Sequence, residues 1–165
     1  MSDCKYGYSV KNGVMTVSLL KCATFPNPDS DKGRHTFRCS LLPHIGDYRE
    51  AGVLRQAYDL NVPMAAVRVG RQNGALGESY SLAAVKEEGV VLETIKRAEE
   101  SGDVVCRAYE AVGRRTRARI TLGFAAKKVY LCNLLEENER EIPLDGKTFA
   151  AEFRPFEIHT FKIER

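Results

Sequence analysis

The sequence predicts an all-β protein built from antiparallel strands. Short runs of alternating apolar and polar residues recur at intervals of roughly 8–12 residues, which is the spacing of strands in a β-sandwich. Glycine, proline, asparagine and aspartate separate these runs and are typical of tight turns. Only one stretch, 47–59, has a helical pattern. These observations predict the closing strands of a large β-sandwich followed by a smaller sandwich.

The first strands are predicted to form a hairpin. Tyr6 to Val10 and Val14 to Leu20 flank Asn12-Gly13, and this dipeptide favours a type I′ turn because both central residues of that turn need positive φ. In the second strand the more apolar face, which we expect to be buried, consists of Met15, Val17 and Leu19.

A long loop is predicted after the hairpin. The segment Phe25-Pro26-Asn27-Pro28-Asp29 contains two prolines, which lack the N–H that a strand ladder requires. Thr36 to Leu42 then alternates and predicts a half-buried strand. Its core-facing residues are expected to be Phe37, Cys39 and Leu41.

A short helix and a polar linker are predicted next. Asp47 and Glu50 have the spacing of a capping box, and Asn61 with Pro63 should end the helix. Ala65 to Val69 predicts a short strand. The Gly- and Ser-rich stretch 70–81 reads as a long loop, and we place the domain boundary after it, giving domains 1–82 and 83–165.

The second domain is predicted to contain regularly spaced strands separated by turns. In the third of these strands Thr116, Ala118, Ile120 and Leu122 alternate with arginines, which indicates one buried and one solvated face. The predicted strands are Gly89–Arg97, Val104–Glu110, Arg114–Leu122, Lys127–Asn133, Phe149–Phe153 and Phe156–Ile163.

Composition narrows the function classes. The 165 residues carry a net charge of only +3, with 44% hydrophobic and 28% charged residues, so neither nucleic acid nor a membrane is expected as a partner. No run approaches the roughly 18 apolar residues of a membrane span. Five cysteines at irregular spacing argue against a disulfide framework and favour a reducing, cytoplasmic location.

The chain offers few candidates for catalysis. A glycosidase needs two carboxylates across the scissile bond, but the loop residues Asp29, Asp31, Asp47 and Glu50 are typical of local hydrogen bonding in turns. The spacing of His35, Cys39 and His44 matches no standard zinc pattern. We therefore expect no catalytic residue and no metal in this chain.

An arginine stripe is the strongest charge feature. Arg114, Arg115, Arg117 and Arg119 lie close together in the sequence and could line a phosphate or nucleic-acid groove. No aromatic residues alternate with them to stack on bases. We expect a solvated or domain-facing surface, paired with the acidic turn at residues 136–141.

Several segments together resemble a known family. They resemble, in order along nearly the whole chain, the C-terminal β region of the α-mannosidase glycoside hydrolases, especially the cytosolic and vacuolar subgroup. The resembling segments are Asp3-Cys4-Lys5-Tyr6-Gly7-Tyr8, Ser18-Leu19-Leu20-Lys21, Pro26-Asn27-Pro28-Asp29, Asp31-Lys32-Gly33-Arg34-His35-Thr36-Phe37, Leu42-Pro43-His44, Val91-Leu92-Glu93-Thr94-Ile95-Lys96 and Phe153-Arg154-Pro155-Phe156-Glu157-Ile158.

The resemblance implies a part of a larger enzyme. It implies a parent that hydrolyses terminal α-mannosides, with its catalytic carboxylates and a divalent, zinc-type metal in an N-terminal catalytic domain outside this chain. The present chain would support that domain and form a wall of the substrate cleft. In the wider family the loop matching 3–8 reaches the mannose site with a basic residue, so the implied substrate-binding residues are Asp3, Lys5 and Tyr6, although other subgroups have Arg at the position of Lys5.

Two other functions remain open from the sequence. The chain could be a free-standing carbohydrate-binding β-sandwich module with no enzyme attached, because Tyr6 and Tyr8 beside Lys5 suit sugar binding. It could also be an arginine-rich β domain that binds nucleic acid. An upstream reading frame continuous with this one would favour the enzyme over the module.

Overall fold

A computed structural model describes residues 1–2 and 6–165. The chain divides into two units, Met1–Gly70 and Arg71–Arg165. The fold is almost entirely β, as the sequence predicts, with antiparallel pairing in every sheet. In the part of the chain that is described, no helix is long and apolar enough to cross a membrane. The domain boundary predicted after Leu82 stays a prediction.

The first unit contains one hairpin and one helix. Strands β1 (Tyr8–Lys11) and β2 (Val14–Val17) pair around Asn12 and Gly13. The φ angles of these two residues, 52° and 76°, are both positive, which confirms the predicted I′-type turn. The expected burial of one face of β2 is wrong, because Met15 is 70% exposed. A two-stranded ribbon buries a face only against another layer, and no layer formed by the described residues covers Met15.

The capping box forms but does not begin the helix. The N–H of Glu50 donates to Oδ1 of Asp47 at 3.0 Å, and the N–H of Asp47 donates to Oε2 of Glu50 at 3.3 Å. Gly52, at φ 61°, then separates this turn from helix α1 (Val53–Asn61). The helix ends at Asn61 as predicted, but it begins several residues later than the sequence indicates, because the left-handed glycine interrupts the helical path.

Two predicted strands of the first unit are absent from the described structure. Within Thr36–Leu42 only Cys39 forms a bridge, to Ser2, and Cys39 and Leu41 are exposed rather than core-facing. The segment Ala65–Val69 is also irregular. Alternation selects which side chains share a face, but a strand also needs a neighbouring strand in register, and these segments do not have one.

The second unit is a β-sandwich. One sheet has the order β3-β6-β10-β9 and the other has the order β4-β5-β11-β7-β8. The strands are β3 (Ala83–Val85), β4 (Val90–Arg97), β5 (Val104–Glu110), β6 (Thr116–Leu122), β7 (Lys128–Cys132), β8 (Asn138–Ile142), β9 (Leu144–Asp145), β10 (Thr148–Phe153) and β11 (Ile158–Glu164).

The core of the second unit lies between these sheets. Ile120 and Phe149 from one sheet are buried with Phe161 from the other, and the Phe149 and Phe161 rings meet edge to face at 5.0 Å, a favoured aromatic geometry. Cys106 is fully buried there, and burial raises the pKa of its thiol to about 11. All described residues that form a buried apolar core belong to this unit.

Candidate functional site

The first candidate site is the segment that leads into the hairpin. Of its predicted substrate-binding residues, Asp3 and Lys5 lie outside the described residues. Tyr6 is 47% exposed, and its hydroxyl donates a hydrogen bond to Oδ2 of Asp31 at 3.4 Å. The structure thus places Tyr6 against the proline-containing loop, a contact between residues 25 positions apart in the chain.

Asp31 organises that loop. Its Oδ2 also accepts a hydrogen bond from the backbone N–H of Cys22 at 3.0 Å. Its backbone carbonyl oxygen lies 2.9 Å from Nε2 of His35, whose ring stacks on Phe37 with centroids 6.0 Å apart. Asp31 therefore joins the start of the loop and Tyr6 through its carboxylate, and the end of the loop through its backbone carbonyl oxygen.

The other carboxylates considered from the sequence bond within their own turns. Asp29 pairs with Lys32, three residues later. Asp47 accepts the N–H groups of Glu50 and Arg49, which together hold the pKa of its carboxyl below the usual value. These contacts match the local roles that the sequence predicts for loop aspartates.

Two of the three residues considered as metal ligands, Cys39 and His35, make separate contacts. Sγ of Cys39 donates to Oγ of Ser2 at 3.3 Å, and His35 is engaged with Asp31 as described. Among the described residues, no group of three or more histidine, cysteine, aspartate or glutamate side chains is arranged to hold a metal ion. These residues therefore do not fit a zinc-type cofactor.

The second candidate site is a cavity of about 560 Å³ in the sandwich unit. It lies beside the half of β10 that β9 does not cover, because β9 pairs only with Thr148 and Phe149. The charged and polar residues that line it include Arg115, Arg117, Arg140, Arg154, Glu152 and His159. Its volume falls in the range of about 300–1,000 Å³ that is typical of ligand sites.

The strand register brings these residues to the cavity. Arg117 on β6 lies directly opposite Glu152 on β10. Arg140 comes from β8 in the other sheet, opposite Leu131 of β7. Buried Phe153 and Phe161 form part of the wall. Exposed arginines from both sheets therefore line the cavity.

Some charges at the cavity are already paired. Nε of Arg154 lies 4.0 Å from Oε1 of Glu157, whose Oε2 accepts the backbone N–H of Arg154 at 2.6 Å. Nε2 of His159 lies 2.9 Å from the carbonyl oxygen of Glu152. Glu141 lies 3.3 Å from Nζ of Lys128. In contrast, Arg115, Arg117 and Arg140 make no ion pair with any described residue.

The arginine stripe does not act as one surface. Arg115 and Arg117 line the cavity, but Arg119 pairs with Glu87 at 3.8 Å and Arg114 lies in the bend before β6. The expected pairing of the stripe with the acidic turn is wrong for Arg119. Of the acidic turn, Glu136 and Glu141 pair instead with Lys96 and Lys128.

Comparison with known proteins agrees with the sandwich geometry. Residues 89–161 match the profile of the glycosyl hydrolases family 38 C-terminal beta sandwich domain. This range contains strands of both sheets, from β4 into β11. Residues 89–161 form a C-terminal beta sandwich domain of glycosyl hydrolase family 38. This match and the relatives described next confirm the resemblance to the C-terminal β region of α-mannosidases.

Over nearly its whole length the chain is similar to α-mannosidases. The chain is 36% identical to human alpha-mannosidase 2C1 over 163 residues, which is 96% of the chain and 16% of that protein. It is 32% identical to Dictyostelium discoideum alpha-mannosidase G, over 99% of the chain and 15% of that protein. It is 24% identical to an alpha-mannosidase of Saccharomyces cerevisiae, over 99% of the chain and 17% of that protein. The chain thus spans about a sixth of the length of these relatives.

Sequence reasoning missed most of the cavity in the family 38 domain. The alternation of β6 identified Arg115 and Arg117, but Arg140, Arg154 and His159 come from β8, the turn after β10, and β11. Their convergence depends on which strands pair, and alternation within one strand carries no information on pairing. The signal available for two of these residues was an arginine at an exposed position, Arg140 and Arg154.

Proposed function

We propose that this chain is the β-sandwich portion of an α-mannosidase that hydrolyses terminal α-mannosides, where it supports the catalytic domain and forms a wall of the substrate cleft. The observation that carries this proposal is the alignment of nearly the whole chain with α-mannosidases from human and Dictyostelium discoideum. Each alignment uses only about a sixth of the relative, which leaves the larger part of each α-mannosidase to provide the chemistry.

The catalytic groups are assigned to the rest of the parent protein. Glycoside hydrolysis uses two carboxylates, about 5–5.5 Å apart in retaining enzymes. In this chain Asp31, Asp47 and Glu50 are committed to loop hydrogen bonds. We therefore expect the parent's N-terminal catalytic domain to be the partner of this chain and to hold the divalent, zinc-type metal that α-mannosidases of this family would use.

The segment 3–8 is the proposed contact with the α-mannoside. Tyr6 is exposed and held by Asp31, and β1 begins two residues later. A tethered, polar and aromatic segment of this kind can present Lys5 and Asp3 to sugar hydroxyls while the Tyr6 ring packs on an apolar sugar face. The proposal also includes a cytoplasmic location, which free Cys22, Cys39, Cys106 and Cys132 suit.

Activity measurements on two proteins test this function. The full-length parent should release the aryl group from an aryl α-mannoside, whereas the purified 165-residue chain should not. Turnover by the chain alone that disappears when Asp31 or Asp47 is replaced by asparagine would overturn the assignment of the chemistry to another domain. A full-length protein without α-mannosidase activity, together with saturable mannoside binding by the chain, would establish the carbohydrate-binding module instead.

A further inference from the structure

We propose that the cavity beside β10 is a binding site for the phosphate group of a small phosphorylated sugar. Its arginines come from both sheets. Arg117 lies in β6 and Arg115 directly precedes that strand, whereas Arg140 lies in β8 of the other sheet. All the residues that line this site belong to the second unit. The proposal goes beyond α-mannoside hydrolysis and does not depend on it.

The charge balance of the cavity favours an anion. Four arginines line it against three carboxylates, Glu141, Glu152 and Glu157. Glu157 is committed to Arg154, and Glu141 to Lys128, which lies outside the lining. The third carboxylate, Glu152, lies opposite Arg117 on the neighbouring strand. It is the one lining carboxylate left to balance three guanidinium groups that have no ion pair among the described residues. An excess of positive charge therefore faces the cavity.

The number of free guanidinium groups favours a phosphomonoester over a carboxylate. Each guanidinium offers a rigid fork of N–H donors that fits two oxygens of one anion. A carboxylate has two oxygens, whereas a phosphomonoester has three terminal oxygens and close to two negative charges at neutral pH. The phosphate group can thus accept bonds from Arg115, Arg117 and Arg140 together.

The remaining space favours an attached polyhydroxylated group. A volume of about 560 Å³ exceeds the need of a phosphate ion alone. Beyond the arginines, the wall contains the carboxylate of Glu152 and the ring of His159, which can bond to hydroxyl groups. The rings of Phe153 and Phe161, buried in the core, form the apolar part of the lining.

The unpaired edge of β10 explains why the cavity exists. Because β9 ends its pairing at Phe149, residues 150–153 have a neighbouring strand only on the β6 side. Protein sheets normally cover or charge such an edge. Here Nε2 of His159 lies 2.9 Å from the carbonyl oxygen of Glu152, and arginines are among the residues that line the open space beside the edge.

Titration of the 165-residue chain with glucose 6-phosphate, followed by nuclear magnetic resonance of the arginine Nε–H groups, tests the proposal. We expect saturable shifts of Arg115, Arg117 and Arg140 that persist at about 0.15 M salt, where exposed charges are screened within about 8 Å. Inorganic phosphate and glucose are titrated separately. Tighter binding of glucose 6-phosphate than of phosphate assigns the sugar ester, and equal affinities assign the site to free phosphate.

Two variants and a matched control complete the test. Arg115→Gln and Arg140→Gln should each weaken glucose 6-phosphate binding by about tenfold or more, since each removes charge-assisted bonds. Arg114→Gln, which changes the adjacent exposed arginine outside the cavity, should leave the affinity unchanged. If Arg140→Gln lowers the melting temperature, Arg140→Lys replaces it and should still bind more weakly because it lacks the planar fork.

Three results would overturn the site. They are titration without saturation, an equal loss of affinity in Arg114→Gln, and shifts confined to arginines that do not line the cavity.

Discussion

Glu110 accepts a hydrogen bond from the backbone N–H of Phe156, 46 residues away, at 3.0 Å. Its carboxylate also accepts the N–H groups of Val112 at 3.0 Å and Gly113 at 2.8 Å, and Glu110 is fully buried. Its own N–H donates to the carbonyl oxygen of Glu157. One buried carboxylate thus joins the turn before β6 to the turn before β11, and these turns carry Arg115 and Arg154 to the cavity.

Replacing Glu110 with glutamine should destabilise the sandwich unit. The glutamine amide can accept hydrogen bonds through only one oxygen, so at least one buried N–H loses its partner, at a cost of about 2–3 kcal/mol. For a unit of this size the melting temperature should fall by roughly 10 °C or more. Calorimetry of Glu110→Gln, compared with Glu100→Gln in the exposed β4–β5 turn, measures the difference. Equal melting temperatures for the two variants would contradict the role of the carboxylate.

The charge of Glu110 also predicts acid sensitivity. Burial raises the pKa of Glu110, but backbone N–H donors, led by that of Phe156, outweigh it and hold the pKa below its ordinary value. Lys96 and the N–H of Glu99 likewise lower the pKa of Glu136. Because both pKa values are lower in the folded state, this stabilisation is complete above the unfolded pKa of about 4.3 and is lost as the pH falls through the folded values.

A melting curve at successive pH values checks this dependence. The melting temperature of the wild-type sandwich unit should be constant between about pH 6 and 7 and should fall progressively below about pH 4. The melting temperature of Glu110→Gln should depend less on pH in the acid range, because one of the two carboxylates whose protonation destabilises the fold is absent. A wild-type melting temperature that does not change between these ranges would show that neither carboxylate contributes as described.

Gly113 predicts a backbone effect at the same junction. Its φ is 78°, and a Cβ added there would lie 2.8 Å from Cζ of Phe156. Gly113→Ala should therefore cost roughly 1–3 kcal/mol through an unfavourable φ and displacement of the Phe156 ring. Gly102→Ala is the matched control, because a Cβ at Gly102 meets no atom within 4 Å. Thermal unfolding that ranks the two variants equally would contradict the close contact.

The sequence predicted those parts of the fold that depend on local chemistry. Asn12-Gly13 specifies its turn because both residues adopt positive φ, and the alternation of β6 correctly separates buried Ile120 from exposed Arg119. Both signals come from adjacent residues. The same reasoning fails for Thr36–Leu42, because its alternation is clear while its only ladder contact is the bridge from Cys39 to Ser2.

Features that depend on distant pairing were not predictable. Strand β3 is only three residues long, too short for a periodic pattern, and it forms because β6 offers an edge to it. Glu110 reads as the polar end of a strand, yet the turn at Phe156 encloses it. The arginines that line the cavity likewise come together only through the pairing of β6 with β10 and of β8 with β7.

The segment before the hairpin provides the last prediction, measured in the full-length parent enzyme. Lys5→Ala should lower kcat/KM for an aryl α-mannoside by roughly ten- to a hundredfold. A charged hydrogen bond to a sugar hydroxyl is worth roughly 1.5–3 kcal/mol, and each 1.4 kcal/mol in the transition state changes the rate by about tenfold. Tyr6→Phe removes the hydroxyl that bonds to Asp31 at 3.4 Å and should lower the rate less, since it only loosens the segment that carries Lys5.

Two measurements separate a binding role from a structural one. The hydroxyl of Tyr48, which is 45% exposed and lies outside the segment 3–8, accepts a hydrogen bond from Nε of Arg49, so Tyr48→Phe is a matched control that should retain wild-type kinetics. The melting temperature should stay unchanged in Lys5→Ala, because a side chain that acts on the substrate contributes little to folding. If Lys5→Ala and Tyr6→Phe both retain the wild-type kcat/KM, the segment does not reach the substrate, and Tyr6 serves only to anchor the loop through Asp31.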